Sequence, residues 1–447
     1  MSYTTSQAHL LDELDRIRSL LEHVSQADDP PTDQSRGQRQ GPVTPADLPL
    51  AVSPDVRDSL ADERAEIDRR CRETPSDVTL RLRVLADQFD LSRNHLDVLL
   101  LAAAPDIDPS IQSLFVSLTD RPDATHPTVG LVERLFGTSR AEQLAAFGLV
   151  GLDSPLRTHG LLDVDTDAET ADAHTLRISD RLRDYLKRSG GLDPTLGSVA
   201  AVVDPQTQLA DLRLSDHVHG EVAALHDQRT DADRGSTVYH FYGSEGSEKR
   251  RAVEALVDGD LLRGDLDALH DADRLDRFCR EARLQDCPVL LTNVSEATRD
   301  RGPTPGDDPR PAADRPTLGD VLDSLSGLGR DLFLTGTESW RPTSRRRAAT
   351  FELLEFPEPG VHLRYDVWGA YADEFAPDVD RATLASTFQL TQGQIDDAVT
   401  TARALSSHAG VGTGRQNADS RGGHTHVEGG LSREVVVEAC TTQSADG

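Results

Sequence analysis

The sequence contains few cysteines, few aromatic residues and almost no methionine. Its 447 residues include 4 Cys, 1 Met and 2 Trp, and Phe, Trp and Tyr together make up 4%. Its cores must therefore be built mostly from leucine, valine and alanine. The cysteines form no CxxC pair, which argues against a disulfide framework or a structural zinc site and favours a reducing compartment.

Positive charge is also scarce. Lys and Arg number 47 against 77 Asp and Glu, so the net charge is −30, and Lys187 and Lys249 are the only lysines. Such a chain has no general attraction for phosphate backbones or anionic lipids, so neither nucleic acid nor a membrane is expected as a partner. An acidic, arginine-based composition of this kind is typical of haloarchaeal proteins, whose carboxylates hold hydration while salt screens their repulsion.

Long apolar runs are missing as well. The longest, Val98–Ala104, is far too short to span a bilayer. Met1–Glu13 has no basic segment followed by an apolar one, so it is not predicted to be a secretory signal. These features predict a cytoplasmic protein, with room for two or three domains at about 100–200 residues each.

The first part of the chain predicts helices followed by a two-stranded ribbon. Residues 1–26 carry an amphipathic helix whose apolar stripe either packs on its own domain or docks on a partner chain. Residues 27–50 are predicted to be a polar, proline-containing linker. Within 51–192, consecutive helices precede two short strands joined by an acidic tip and then a last helix. This order is the pattern of a winged-helix domain.

The second part predicts a different architecture. Between residues 205 and 358, short apolar strands alternate with helical segments, which indicates a parallel α/β core. Residues 359–441 are predicted to form a helical lid. A low-complexity insertion at 410–430 is predicted to be disordered.

The most informative stretch is Val238–Arg250, a strand that runs into a glycine-containing loop and a helix. A phosphate-binding loop has the pattern GxxxxGK[ST], in which backbone N–H groups surround the phosphates, the lysine neutralises charge and the hydroxyl holds magnesium. Gly243 and Lys249 match this pattern, but Glu248 replaces the second glycine and Arg250 replaces the hydroxyl residue. The match is partial, and a generic strand–turn–helix with one lysine is the alternative.

With this loop, the region 205–441 resembles the AAA+ ATPases. Pro288–Asn293 stands where the second signature strand ends in Asp-Glu, but here it ends in Thr-Asn, and Asp331–Thr337 resembles the sensor-1 strand. The resemblance implies an α/β fold with a helical lid, weak or absent ATP or ADP binding, no metal and no catalytic residue. The residues that it assigns to the nucleotide loop and the sensor-like position are Gly243, Ser244, Gly246, Ser247, Lys249 and Thr335.

Phe89–Leu101 and His126–Leu135 resemble the N-terminal signature of one AAA+ subfamily. Its members join a winged-helix domain to an AAA+ domain and include ATPases encoded with contractile injection particles. The resemblance implies a scaffold or adaptor with little or no hydrolysis, working with an intact AAA+ ATPase subunit, in a ring or mixed assembly.

Two alternatives stay open, an active ATP-binding ATPase and a winged-helix DNA-binding regulator. The helices 109–118 and 128–136, considered as DNA-binding candidates, contain almost no basic residues apart from Arg134.

Two weaker patterns have ordinary explanations. The run Arg345–Arg347 suggests an arginine finger, but a solvated turn is the commoner role for such a run. His424 and His426 form an HxH pair without a third ligand nearby, which favours chance over a metal site.

Overall fold

A computed structural model of the chain divides it into two compact units. The first contains residues 1–198 and 273–286, and the second contains residues 199–272 and 287–447. The residues that the structure describes are 2–26, 44–119, 125–187, 191–229, 236–269, 271–294, 317–325, 327–342, 350–412 and 430–445. The arginine run Arg345–Arg347, the HxH pair, residues 27–43 of the predicted linker and most of the predicted insertion lie outside these ranges.

The described part of the chain contains α-helices and two sheets. The helices are α1 (Ser6–Gln26), α2 (Pro54–Arg72), α3 (Arg81–Gln88), α4 (Arg93–Ile107), α5 (Gln112–Thr119), α6 (Val129–Leu135), α7 (Arg140–Ala146), α8 (Pro155–Thr158), α9 (Asp180–Leu186), α10 (Asp216–Arg229), α11 (Lys249–Leu256), α12 (Ala272–Gln285), α13 (Leu318–Ser324), α14 (Val361–Gly369), α15 (Arg381–Thr387), α16 (Gln392–Gly412) and α17 (Arg433–Ala445). The strands are β1 (Leu162–Asp165), β2 (Thr175–Ile178), β3 (Ala200–Val203), β4 (Thr237–Gly243), β5 (Leu261–Asp265), β6 (Val289–Val294), β7 (Leu332–Gly336) and β8 (Thr350–Phe356). Within the described ranges, no helix is both long and apolar enough to cross a lipid bilayer.

The core of the first unit includes the apolar stripe of α1. Leu14 and Ile17 are buried in one cluster with the apolar run Val98–Ala104 of α4. Of the two alternatives for this helix, packing on its own unit is the one observed. Leu48, inside the predicted linker, is part of the same core.

Two short helices and a ribbon complete the first unit. Helices α6 and α7 are joined by residues 136–139, and Gly137 in this turn has a φ of +99°. A Ser139–Glu142 capping box starts α7. Strands β1 and β2 pair antiparallel after these helices. A helix–turn–helix followed by a ribbon is the order expected of a winged-helix domain.

The second unit is built on a six-stranded sheet, in the order β3-β5-β6-β7-β4-β8. Strands β5, β6, β7, β4 and β8 are parallel, and β3 pairs antiparallel with β5 at one edge. The predicted parallel α/β core is therefore confirmed. Strand β3 was not predicted, because four small apolar residues between polar segments give too short a signal.

Helix α12 follows β5 in the chain, yet its residues 273–286 belong to the first unit. There the fully buried Glu281 accepts a hydrogen bond from Arg181 Nη2 at 2.9 Å. Arg280 donates to Asp193 Oδ2 and to the carbonyl of Gly160, both at 2.8 Å. This helix carries basic and acidic residues on its buried side, so its contacts are ionic as well as apolar.

The predicted lid is helical, as expected. Helices α14 to α17 pack around the fully buried Trp368, together with Leu384, Ile395 and Val436. All four cysteines of the chain are buried, and none takes part in a disulfide.

Candidate functional site

The predicted nucleotide loop lies between β4 and α11. Strand β4 ends at Gly243, whose φ is +139°, and a Cβ at this position would collide with the backbone carbonyl of Phe356 on β8. Gly246 has a φ of +76°, and a Cβ there would lie 2.5 Å from Thr391 Oγ1. Both glycines are therefore required by backbone conformation and by close approach.

Glu248 occupies the position where the phosphate-loop pattern has its second glycine. Its φ is +69°, so a residue with a side chain adopts the left-handed conformation that glycine favours. Its carboxylate is buried and accepts hydrogen bonds from Arg251 Nη1 at 2.9 and 3.1 Å. Burial raises the pKa of Glu248, although the Arg251 charge opposes this shift. The carboxylate thus has its own cation on the next helical turn.

Lys249 is engaged by its own loop. Its Nζ donates to the carbonyl oxygens of Gly243 at 2.7 Å and Ser244 at 2.6 Å, and to Ser247 Oγ at 3.2 Å. Burial lowers the pKa of Lys249 to about 8. An ammonium has three donors, so a phosphate ligand has to displace contacts that the loop already supplies.

The lid contacts this loop directly. The backbone N–H of Gly393, on α16, donates to the carbonyl of Gly246 at 2.8 Å. A Cβ on Gly393 would lie 2.9 Å from Gly246 Cα, closer than carbon atoms pack. The lid therefore rests on the loop through two glycines, Gly246 and Gly393.

The end of β6, one strand removed from β4, carries no carboxylate at the two signature positions. Thr292 Oγ1 donates to the carbonyl of Gly264 at 3.3 Å, and Asn293 Nδ2 donates to Asp265 Oδ2 at 3.1 Å. Thr335 is buried on β7, opposite Phe241 of β4. The pairing of β7 with β4 therefore places Thr335, the sensor-like position, beside the strand that leads into the loop. Among the described residues, no group of three or more His, Cys, Asp or Glu side chains is placed to hold a metal ion.

A small cavity adjoins the loop and the lid. Its volume is about 50 Å³, whereas pockets for drug-sized ligands measure about 300–1,000 Å³. The residues that line it are Leu214, Ser215, Val218, Ser247, Phe356, Pro357, Glu358, Pro359, Gly360, Leu363 and Gln392.

These residues do not fit a magnesium-bound triphosphate. Lys249 is already bonded to its own loop, Arg250 offers no hydroxyl to magnesium, and Thr292 and Asn293 offer no carboxylate to bind a metal or activate water. Gly243 and Gly246 thus hold positive-φ conformations, and the lysine of the loop is bonded within the loop itself.

The first unit presents a second candidate surface. Among the described residues, α6 and α7 are the last pair of α-helices before the ribbon that a four-residue turn joins. We therefore take α7, and not either of the two helices considered from the sequence, as the second helix of the helix–turn–helix. Around its end, three apolar side chains are exposed: Leu144 by 63%, Phe147 by 47% and Leu152 by 74%. We call this group the α7 apolar patch.

Arg134, the basic residue of the two candidate helices, is bonded within the protein. Arg134, on α6, donates through Nη1 to the carbonyl of Leu118 at 2.8 Å. Asp172, at the ribbon tip, lies against α6, where a Cβ on Gly130 would be 3.0 Å from its carbonyl oxygen. The exposure of Leu144 and Phe147 could not be derived from the sequence, because so short a helix gives no clear apolar face.

Comparison with known proteins identifies the first part of the chain. No curated protein matches the chain. A family model described as "Winged helix domain, variant" matches residues 1–200. The N-terminal 200 residues therefore form a winged-helix domain, and the rest of the chain contains a parallel-rich sheet with helices.

Proposed function

We propose that the chain is an AAA+-like subunit that does not hydrolyse ATP and acts as a scaffold or adaptor for an intact AAA+ ATPase. One observation carries this proposal: the strand tips present Thr292 and Asn293 where an ATPase needs a magnesium-binding and a water-activating carboxylate. The strand order of the second unit supports the AAA+ comparison, since β4, which leads into the loop, lies between β7 and β8.

The loop contacts support the same conclusion. Lys249 stabilises the loop by bonding Gly243 and Ser244, and the lid closes on Gly246. These hydrogen bonds hold the loop and the lid together without a bound ligand. A subunit that serves as a scaffold needs a stable α/β core and lid, and it has no need of metal or water activation.

The α7 apolar patch supports protein docking over DNA binding. A recognition helix that enters DNA needs cations and polar side chains, whereas α7 exposes Leu144 and is followed by Phe147. The ribbon tip carries Asp165, Asp167 and Glu169, which repel phosphate. Exposed apolar patches rimmed by polar residues are typical of protein interaction sites.

The biological setting that we propose follows from the sequence resemblance. We place the chain in the assembly or remodelling of a contractile injection particle, in the cytoplasm of a salt-adapted cell, with an intact AAA+ ATPase as partner in a ring or mixed assembly. The net charge of −30 supports this setting, because high salt screens such repulsion.

Two measurements test the proposal. Phosphate release from Mg-ATP by the purified chain in molar KCl is expected to equal the buffer blank, and turnover that is lost in Lys249→Ala would overturn the proposal. Co-purification of the tagged native chain should recover an AAA+ ATPase, and the double variant Leu144→Ser/Phe147→Ser should lose it. Leu11→Ser is the matched control, because Leu11 is an exposed leucine on α1 (55%) outside the patch. Equal recovery with both variants would refute docking through the patch.

A further inference from the structure

Residues 207–214, which lie between β3 and α10, contact both the α/β core and the lid of the second unit. We call this segment the strap. Leu212 of the strap is 7% exposed and is buried in one cluster with Val253 of α11. Leu209 and Leu214 pack against the same cluster. The apolar side of the strap is therefore fixed to the core.

Two polar contacts also fix the strap to α11. Arg251 Nη2 donates to the carbonyl of Asp211 at 3.3 Å, and Thr207 Oγ1 donates to Glu254 Oε2 at 3.3 Å. The same Arg251 donates through Nη1 to the buried carboxylate of Glu248. The helix that follows the loop thus holds both the loop and the strap.

On its other side, the strap bonds the lid through a single residue, Arg213. Its Nη1 donates to Asp396 Oδ1 at 2.9 Å, and Tyr371 OH donates to the same oxygen at 2.5 Å. The guanidinium of Arg213 lies 5.5 Å from the centre of the Tyr371 ring, and its carbonyl accepts from Gln392 Nε2 at 2.7 Å. At 1 M salt the Debye length is about 3 Å, so an ion pair in direct contact is not fully screened.

The backbone of the strap explains how neighbouring residues reach different partners. Leu212 is extended, with φ −78° and ψ 129°, and successive side chains of an extended chain point to opposite sides. Leu212 therefore packs in the core while Arg213 contacts the lid. Gln392, which bonds the strap, is followed directly by Gly393, whose N–H bonds Gly246 of the loop. The strap contact and the loop–lid contact are thus one residue apart on α16.

We infer that the strap is an internal clamp that holds the lid on the loop, and that the position of the lid does not depend on nucleotide. All the contacts that fix the lid here come from side chains and backbone of the chain itself, and Asp396 of the lid is paired with Arg213. The inference goes beyond the proposed function, because a subunit without hydrolysis can have either a fixed or a mobile lid.

The experiment is hydrogen exchange of the full chain in molar KCl, measured around Gly393 and in β7. In Asp396→Asn, exchange around Gly393 should rise roughly three- to fivefold, the range expected for a partly exposed ion pair, and exchange in β7 should not change. Asp397→Asn is the matched control, because Asp397 is the next residue and is exposed. Arg213→Met combined with Asp396→Asn should raise exchange no further than Arg213→Met alone. Millimolar Mg-ATP should leave exchange in the wild type unchanged.

Each contrary result has a clear meaning. Equal exchange in Asp396→Asn and Asp397→Asn, or additive effects of Arg213→Met and Asp396→Asn, would overturn the clamp. A rise in β7 as large as the rise around Gly393 would also overturn it, because the pair would then support the whole unit. A change around Gly393 when Mg-ATP is added to the wild type would overturn the independence from nucleotide. None of these results decides the scaffold proposal, which is tested by phosphate release and by partner recovery.

Discussion

The contact between Gly246 and Gly393 predicts that a side chain at position 393 separates lid and loop. In Gly393→Val, the new Cβ meets Gly246 Cα at 2.9 Å, and backbone atoms on both sides leave no flexible neighbour to move. Overpacking costs about 1–3 kcal/mol, and loss of the Gly393–Gly246 hydrogen bond adds about 1 kcal/mol. Better helix propensity returns about 0.4 kcal/mol. The free energy of unfolding should therefore fall by roughly 2–4 kcal/mol.

The assay is urea unfolding in molar KCl, followed by tryptophan fluorescence. The sequence has 2 tryptophans, and both Trp340 and Trp368 belong to the second unit, so the signal reports the unit that contains the contact. Gly220→Val is the control, because Gly220 lies on α10 and a Cβ added there would meet no described atom within 4 Å. If both variants unfold at the same urea concentration, the loop–lid contact contributes nothing and the reasoning fails.

Three further predictions concern buried charges and backbone strain. Burial lowers the pKa of Lys249 from 10.5 to about 8, so the unfolded chain binds more protons in that interval. The unfolding free energy of the wild type, relative to Lys249→Met, should rise from about pH 8 to pH 10.5 in urea titrations, and a flat difference would contradict the burial argument. Glu248→Gly should be about 1 kcal/mol more stable than Glu248→Ala, because both variants lose the Arg251 contact and only alanine is strained by the left-handed backbone conformation. Equal stability of the two variants would show that the backbone at position 248 is not strained. Arg181→Met leaves Glu281 buried without its cation and should cost about 3–5 kcal/mol by calorimetry, whereas the double variant Arg181→Met/Glu281→Met should lose less than the two single losses added together.

Much of the local structure could be predicted from the sequence. Periodic apolar residues identified the apolar stripe of α1, and the strand, loop and helix within Val238–Arg250 located β4, the loop and the start of α11. Apolar periodicity and helix caps depend only on residues that are close in sequence, so they can be recognised without the structure. Short elements without such a pattern, such as β3, were missed.

The candidate site itself depends on contacts that no local pattern contains. Gly246 and Gly393 meet across 147 positions of sequence, and Gln392 reaches the carbonyl of Arg213 across 179. The direction of the Glu248 carboxylate follows from Arg251 and from a positive φ that glycine normally supplies. The assignment of α12 to the first unit depends on which partners its charged side chains find. These contacts form only when the chain is folded, so the sequence could identify several of the residues but not the partners that each one contacts.

The buried cysteines have a consequence for handling and for measurement. Burial raises the pKa of Cys279 and of Cys440 to about 12, so at neutral pH only about one thiol in 100,000 is the reactive thiolate. Alkylating reagents and mild oxidants should therefore react only very slowly with Cys279 and Cys440 in the native protein. Cys71 and Cys279 belong to the first unit, and Cys287 and Cys440 belong to the second. The native chain thus carries two chemical reporters in each unit, and the order in which they become modified records which unit opens first.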